Sequence, residues 1–220
     1  MKFEFIYEPV PIIIIRDIFT KKENNEILSE AINNKNKFKH AVISIGEKPD
    51  FRSNKAAYYD EIYINDRSRS KLLNKIDTLF KDVSFQETLS SAPYPIHLFD
   101  KSNHHETQVS RYGDEGQFYK YHIDSSSNDE RQLTMVYYFY KEPKKYKGGD
   151  IQFTNSPIQN GKPVDKNADI ITLTPENNMA VIFGARTPHT VLPTTSPKTF
   201  NKGRFSMNCW IGKIWLSINK

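Results

Sequence analysis

The chain has 220 residues, enough to bury the core of one domain, and carries a net charge of +5 with a pI near 9.0. Fourteen Phe, twelve Tyr and two Trp exclude a disordered chain, although the mean hydropathy is −0.65. The single cysteine, Cys209, excludes an internal disulfide framework, and no apolar run is long enough to span a membrane. We therefore expect a soluble cytoplasmic protein. Its lysines are scattered among asparagines, which is typical of a solvated surface, so we expect neither a nucleic-acid nor a membrane partner.

The first 94 residues are predicted to form a support region of strands and helices. Residues 9–18 are predicted as a strand that Pro9 and Pro11 keep at a sheet edge. Thr20 and Glu23 have the spacing of a capping box, which predicts a helix at residues 21–33. A second helix is predicted to begin near Asp66, which can cap it. Its apolar stripe consists of Leu72, Leu73, Ile76, Leu79 and Phe80.

From about Pro95 onward the pattern changes to short β-type runs separated by turn signals such as Asn160-Gly161. Many short strands with little intervening helix predict a sandwich or jelly roll. We therefore expect one domain over residues 1–220, in which residues 95–220 form the β core. The predicted strands cover residues 96–99, 108–112, 118–124, 133–140, 150–153, 170–173, 179–183, 190–192 and 204–211.

His122 and Asp124 stand two residues apart in a predicted strand, the spacing that points side chains to the same face. A second imidazole would complete the two-histidine, one-carboxylate face that holds non-haem Fe(II) with open positions. His189, just after the apolar strand at residues 179–183, can supply it. Taken alone, His122 and Asp124 also have a structural interpretation. His122 could be a strand histidine whose ring nitrogens are hydrogen-bonded within the fold, and Asp124 could be the first residue of a polar loop.

The last predicted strand has one polar and one apolar face. Alternation places Phe205, Met207, Cys209 and Ile211 on the apolar side. The other side carries Arg204, Ser206, Asn208 and Trp210. Such a strand lines a polar cavity, and an arginine that points into it suits bidentate recognition of a carboxylate.

Taken in order, these motifs resemble the Fe(II)- and 2-oxoglutarate-dependent dioxygenases, specifically the prolyl 4-hydroxylase-like branch. The resemblance covers about residues 108–212. It implies a mainly β fold with N-terminal helices (α+β), in which a cupin-like double-stranded β-helix has helices packed on one sheet. The elements that carry it are Tyr112, His122-Ile-Asp124, Thr134 through Tyr138, Gly148-Gly149-Asp150, His189, Arg204 and Trp210.

The resemblance also implies a role for each matching residue. His122, Asp124 and His189 become the iron ligands and, with Arg204, the catalytic set. Arg204 would bind the distal carboxylate of 2-oxoglutarate, the cosubstrate. Tyr112 and Tyr138 would be hydrogen-bonding neighbours of 2-oxoglutarate. Arg131 and Trp210 would contact the substrate.

Some assignments keep alternatives. The gap of fifteen residues between His189 and Arg204 exceeds the family spacing of about ten, and we place the excess in residues 194–202. Lys198 is the alternative carboxylate partner, but it lacks the tryptophan at the family offset. Tyr112 and Tyr138 are also compatible with ordinary core tyrosines whose hydroxyls are hydrogen-bonded to a neighbouring group. Arg131 is also compatible with a loop ion pair to Asp129 or Glu130. For the adjacent histidines His104 and His105 we expect solvent exposure rather than a second metal site.

The implied function is hydroxylation of a prolyl residue in a protein or peptide, with succinate and CO2 as coproducts. O2 is consumed, and ascorbate is a candidate reductant. Arg131 and two segments predicted to be mobile, residues 46–54 and 155–167, would form a peptide channel. The alternative is hydroxylation of a free amino acid or other small molecule. A catalytically silent jelly-roll binding module is disfavoured because all three ligands and the arginine are present.

Overall fold

The computed structural model of the protein describes residues 1–43, 46–113, 116–125 and 130–213. Its helices are short, and none in the described ranges is long and apolar enough to cross a membrane. They are α1 (Lys21–Asn33), α2 (Tyr59–Ile62), α3 (Lys71–Lys81) and α4 (Val83–Ser90), with 3₁₀ turns at Lys35–Lys37, Arg67–Arg69, Ile96–Lys101 and Phe200–Lys202.

Strands dominate the rest of the described chain. In chain order they are β1 (Lys2–Ile6), β2 (Ile12–Arg16), β3 (Lys39–His40), β4 (Lys55–Tyr58), β5 (His104–Tyr112), β6 (Gln117–His122), β7 (Arg131–Phe139), β8 (Lys147–Gly148), β9 (Ile151–Thr154), β10 (Ile158–Gln159), β11 (Lys162–Pro163), β12 (Ile170–Leu173), β13 (Met179–Gly184), β14 (His189–Thr195) and β15 (Arg204–Gly212).

The strands form two main antiparallel sheets. The larger sheet has the order β1-β2-β13-β7-β15-β5-β4-β3, and the smaller has the order β12-β9-β14-β6. One apolar cluster joins them, because Ile151 and Phe153 of β9 pack with Val136 of β7 and Phe183 of β13. The predicted fold class, a mainly β jelly roll, is confirmed.

The other face of the larger sheet is covered by the helices. Ile27 of α1, Ile76 of α3 and Phe85 of α4 belong to one buried cluster with Tyr137 of β7 and Met207 of β15. The strands β7 and β15 therefore alternate, with one side chain toward the helices and the next toward the smaller sheet. The predicted apolar side of β15 faces this cluster, which leaves its polar side for the space between the sheets.

The isoleucine run of β2 was predicted at a sheet edge, and this was wrong. β2 lies between β1 and β13. Ile13 and Ile15 pack under the helices, while Ile12 and Ile14 face the smaller sheet. A strand buried on both faces needs an unbroken apolar run, and the two prolines lie outside it.

The predicted strand at residues 96–99 is a 3₁₀ turn instead. Ile96 and Phe99 are buried three residues apart, the spacing that places two side chains on one face of a 3₁₀ helix. The predicted strand at residues 118–124 ends at His122. Helix α4 and strand β1 were not predicted.

The segment predicted as a mobile loop at residues 46–54 is partly paired. Ser53 N–H donates to Phe118 O at 3.1 Å, and Lys120 N–H donates to Phe51 O at 2.9 Å. Arg52 forms a bridge with Tyr119. Residues 51–53 therefore extend the smaller sheet beside β6 and bring the side chain of Arg52 between the two sheets.

Helix α1 has the predicted capping box, since Glu23 N–H donates to Thr20 Oγ1 at 3.3 Å and Thr20 N–H donates to Glu23 Oε2 at 2.9 Å. The prediction for the second helix needs correction. Asp66 caps the 3₁₀ turn at Arg67–Arg69, and α3 begins at Lys71 with Ser70 as its cap. Ser70 is fully buried, and its Oγ accepts from Leu73 N–H at 3.1 Å.

Ser70→Ala should lower the free energy of unfolding by about 1 kcal/mol, because it leaves a buried helical N–H without an acceptor. Asp66→Ala should cost less, since its turn is exposed. Urea unfolding of both variants measures the difference. A larger loss for Asp66→Ala would contradict the assigned cap.

Candidate active site

Two histidines meet where the ends of β6 and β14 pair. His122 is the last residue of β6, His189 is the first of β14, and the two are directly opposite in the antiparallel register. Their ring centroids are 4.1 Å apart. Asp124 lies beyond the strand end, so the strand pleat does not aim it as predicted. Its N–H donates to Ala185 O at 2.8 Å, and this bond directs the carboxylate back to the histidines.

The three side chains surround one point. Asp124 Oδ1 lies 3.6 Å from His122 Nε2, and Asp124 Oδ2 lies 3.5 Å from His189 Nε2. One ligand atom from each residue lies within 4.8 Å of the others, and both histidines are buried. These separations exceed the usual length of an N–H···O hydrogen bond, about 2.7–3.2 Å, and leave room for one ion among the donors.

The other polar atoms of the triad have partners that fix its orientation. His122 Nδ1 lies 2.8 Å from Lys120 O, and His189 Nδ1 lies 2.9 Å from Thr187 O. A carbonyl only accepts, so each Nδ1 carries the proton and each Nε2 presents its lone pair to the central point. Thr134 Oγ1 donates to Asp124 Oδ2 at 2.7 Å and holds the carboxylate.

Burial lowers the pKa of His122 well below its usual value, and the neighbouring His189 and Arg52 lower it further. The imidazole is therefore neutral, which is the form that binds a metal. Two histidines that present their Nε2 atoms and one carboxylate, all around the same central point, form a donor set that fits Fe(II).

Arg204 lies on the side of β15 that faces the space between the sheets, with an aromatic ring on two sides of it. Its guanidinium carbon is 4.8 Å from the ring centroid of Tyr112 and 5.0 Å from that of Tyr138. The residue is 1% exposed, and its Nη1 lies 3.4 Å from Ser206 Oγ. Among the described residues, no carboxylate pairs with it. A buried arginine without an acid partner is costly unless a ligand supplies the negative charge.

The surroundings of Arg204 contain further polar atoms that lack partners. In the described part of the chain, Arg204 Nε, the Tyr138 hydroxyl and Thr194 Oγ1 are buried without a hydrogen bond. Burial raises the pKa of Tyr138, so its hydroxyl stays a donor. Gly149 leaves this space open, because a Cβ there would lie 2.6 Å from Arg204 Cδ and 2.7 Å from Thr194 Oγ1. These groups fit the distal carboxylate of a dicarboxylic acid such as 2-oxoglutarate.

A cleft of about 820 Å³ leads from the triad to the surface. Arg131 and Trp210 line it, and the guanidinium carbon of Arg131 lies 4.4 Å from the centroid of the indole ring. Arg131 Nη2 donates to Glu106 of β5 at 2.7 Å, across the intervening strand β15, rather than to Glu130 as considered from the sequence. Asp129, the other partner considered, lies outside the described residues.

The remaining alternatives also have definite positions. Lys198 is exposed, in the connection between β14 and β15 that takes up most of the extra residues before Arg204. His104 is exposed, but His105 is partly buried and lies 2.9 Å from Asp77 Oδ1, so its predicted exposure was wrong. Its partners on α3 and the 3₁₀ turn anchor β5 to the helices.

Sequence reasoning missed two residues beside the triad. The ring of Tyr119 stacks on His122 with centroids 3.5 Å apart, and Arg52 lies over the other side of Tyr119 at 4.6 Å. Arg52 is 70 positions before His122 in the sequence, and no periodicity connects the two. A third residue, Thr194, carried no signal, since it lies beyond the predicted strand at residues 190–192, whereas β14 extends to Thr195.

Comparison with known proteins agrees with this geometry. Residues 107–212 match the family model of the 2OG-Fe(II) oxygenase superfamily, a range that contains the triad and Arg204. A PKHD-type hydroxylase of Synechocystis is 27% identical over 203 residues. That alignment covers 90% of this chain, and the chain spans 62% of the length of that relative.

Solved structures with the same fold include two prolyl hydroxylases. A prolyl hydroxylase from Trichoplax adhaerens, in complex with a hypoxia inducible factor peptide, is 17% identical with a TM-score of 0.67, covering 92% of this chain and 83% of its own. A prolyl-4-hydroxylase of Pseudomonas putida is 16% identical with a TM-score of 0.63, covering 94% and 95%. The epimerase SnoN from nogalamycin biosynthesis is 12% identical with a TM-score of 0.61, covering 94% and 78%. The matched segment, the two-sheet fold and the His-Asp-His triad make the chain similar to the 2OG-Fe(II) oxygenase superfamily.

Proposed function

We propose that the protein is an Fe(II)- and 2-oxoglutarate-dependent dioxygenase that hydroxylates its substrate. The observation that carries the proposal is that the space between the two sheets holds the His-Asp-His triad and receives a buried arginine that has no acid partner among the described residues. His122, Asp124 and His189 would hold the metal. Arg204 would hold the cosubstrate.

Bound Fe(II) supplies the activation of O2 that side chains alone cannot provide. In the overall reaction, one oxygen atom enters a substrate C–H bond as hydroxyl. The other enters succinate as 2-oxoglutarate loses CO2. The protein's part is to place the reactants: the two Nδ1 hydrogen bonds and the hydrogen bond from Thr134 hold the side chains of His122, His189 and Asp124 in the orientation in which they would bind the metal.

The cosubstrate would lie between the triad and Arg204. Its distal carboxylate would accept from Arg204, from the Tyr138 hydroxyl and from Thr194, each of which has a buried donor that lacks a partner among the described residues. This contact would set its keto-acid end toward the metal. The tyrosine rings on both sides of the guanidinium exclude water and strengthen the charge-assisted bonds.

For the substrate we propose a prolyl residue of a protein or peptide. Two solved structures that share the fold are prolyl hydroxylases, and one of them contains a bound peptide. The cleft is lined by aromatic rings, and the indole N–H of its Trp210 is buried with no hydrogen-bond partner among the described residues, so it could donate to a peptide carbonyl. A small-molecule substrate is the second candidate, because the fold also occurs in an epimerase of a biosynthetic pathway. Ascorbate remains our proposed reductant.

Succinate release is the direct test of this proposal. With Fe(II), 2-oxoglutarate and ascorbate, we expect Pro-containing peptides to stimulate succinate release more than free amino acids do. Asp124→Ala should abolish the stimulation, because a ligand and its charge are lost. Coupled turnover retained by Asp124→Ala would contradict the assigned site, and stimulation by free amino acids alone would contradict the peptide substrate.

Arg204→Met should weaken 2-oxoglutarate binding by about 10- to 100-fold, because a charge-assisted buried pair contributes about 1.5–3 kcal/mol. Lys198→Met is the control, since its exposed side chain lies outside the cavity and should change nothing. Calorimetric titration of 2-oxoglutarate into both variants with Fe(II) under anaerobic conditions measures the effect. Weaker binding in the Lys198 variant alone would reverse the assignment.

A further inference from the structure

Arg52 is a second buried arginine beside the triad. It is 6% exposed and lines the same cleft as His122, Asp124 and Trp210. The backbone pairing of residues 51–53 with β6 holds it there, between the smaller sheet and β5 of the larger one. Its position is therefore set by both sheets rather than by a free loop.

All the partners of Arg52 in the described chain are neutral. Nε donates to Asn54 Oδ1 at 2.8 Å, and Nη1 donates to Val42 O at 3.2 Å. Nη2 donates to Gln108 Oε1 at 2.6 Å and lies 3.4 Å from Ser110 Oγ. These acceptors fix the guanidinium in place but leave its charge without a counter-ion.

Two other arginines that line or support this region have acid partners. Arg131, at the mouth of the cleft, pairs with Glu106 at 2.7 Å. Arg67, beneath β5, pairs with Asp77 at 2.9 Å. Arg204, like Arg52, lacks such a partner, and we assign its counter-ion to the cosubstrate. The same physical argument applies to Arg52, because a desolvated cation is stabilised by an anion that binds beside it.

The charges of the cleft support an anionic ligand. Asp124 is the one acidic side chain among the described residues that line it, and its negative charge would be compensated by the bound metal. The basic residues are Arg52 and Arg131, of which Arg131 is already neutralised by Glu106. The remaining walls are largely aromatic: Phe51, Tyr58, Tyr119, Tyr121 and Trp210. The cleft thus combines one uncompensated cation with apolar surfaces.

We propose that Arg52 binds a carboxylate of the organic substrate and so selects acidic substrates. This inference rests on the proposed function and narrows its substrate class. The carboxylate belongs either to an acidic side chain next to the hydroxylated residue of a peptide or to the α-carboxylate of a free amino acid. In both cases it lies beside Tyr119, and the reacting carbon is held near the metal.

A purely structural role for Arg52 makes a different prediction. The Arg52–Tyr119–His122 stack also steadies a metal ligand. If that were its whole role, loss of Arg52 would weaken metal binding and would lower the affinities for acidic and neutral substrates equally. The ratio of affinities for an acid and its amide is therefore the informative quantity, because metal loss cancels from it.

The experiment uses matched acid and amide probes with the Fe(II)- and 2-oxoglutarate-loaded protein under anaerobic conditions. The peptide pair is N-acetyl-Ala-Pro-Glu-amide and N-acetyl-Ala-Pro-Gln-amide, and the small-molecule pair is L-proline and L-prolinamide. Calorimetry should show one acid binding about 10- to 100-fold more tightly than its amide. The pair that discriminates identifies the source of the carboxylate.

In Arg52→Gln the acid-to-amide ratio should fall to about 1–3, and Arg52→Lys, which keeps the charge but loses the fork, should give an intermediate ratio. Arg111→Gln is the matched control. Arg111 is also buried over an aromatic ring, but it bonds carbonyls on the opposite face of β5, so its loss should leave the ratio unchanged.

Equal binding of acid and amide by the unmodified protein, no binding of either probe pair, or an unchanged ratio in Arg52→Gln would overturn the assignment of Arg52. The same titrations measure Fe(II) and 2-oxoglutarate binding. If these two ligands bind and the ratio does not change, the substrate inference fails alone. If they do not bind, the dioxygenase proposal itself fails.

Discussion

The antiparallel pairing of β6 with β14 is the constraint on which the site depends. It sets His122 and His189 opposite each other at the ends of two strands of the same sheet. The bond from Asp124 N–H to Ala185 O then returns the carboxylate to them, although Asp124 is no longer in a strand. A shift of one residue in this register would turn one imidazole away from the other and separate the ligand set.

The second organising feature is the buried positive charge. The alternation of β15 gives one side of the strand to the helix-covered core, so Arg204 must face the space between the sheets. Arg52 reaches the same space from the segment added beside β6. Neither has an acid partner in the described chain, although burial makes such a charge expensive. Two anions, one from the cosubstrate and one from the substrate, would complete the electrostatics of the cavity.

Much of this could be predicted from the sequence, because strands encode their two faces locally. The alternation from Arg204 to Trp210 is a short-range pattern, and it indicated a polar cavity. The spacing of His122 and Asp124 indicated a shared metal site, although a backbone hydrogen bond rather than the strand pleat aims Asp124. The helical stripe from Leu72 to Phe80 is equally local. These patterns required no knowledge of which strands are neighbours.

The missed features depend on packing between distant segments. Ile12–Ile15 looks the same in sequence whether one face or both faces are buried, and only the neighbours β1 and β13 decide it. Ile96 and Phe99 belong to a 3₁₀ turn whose spacing is too short to be distinguished from a strand by periodicity. Arg52 gave no signal at all, since its role depends on contacts with Gln108, which is 56 positions further along the chain, and with Tyr119, which is farther still.

The central claim is that His122, Asp124 and His189 form one iron site that works together with a carboxylate cosubstrate. Anaerobic titration of Fe(II) into the metal-free protein tests it most directly. We predict one Fe(II) per chain, tighter binding of 2-oxoglutarate once the metal is present, and loss of both in His189→Ala. Fe(II) binding that is unchanged in His189→Ala, or no Fe(II) binding by the unmodified protein, would contradict the account.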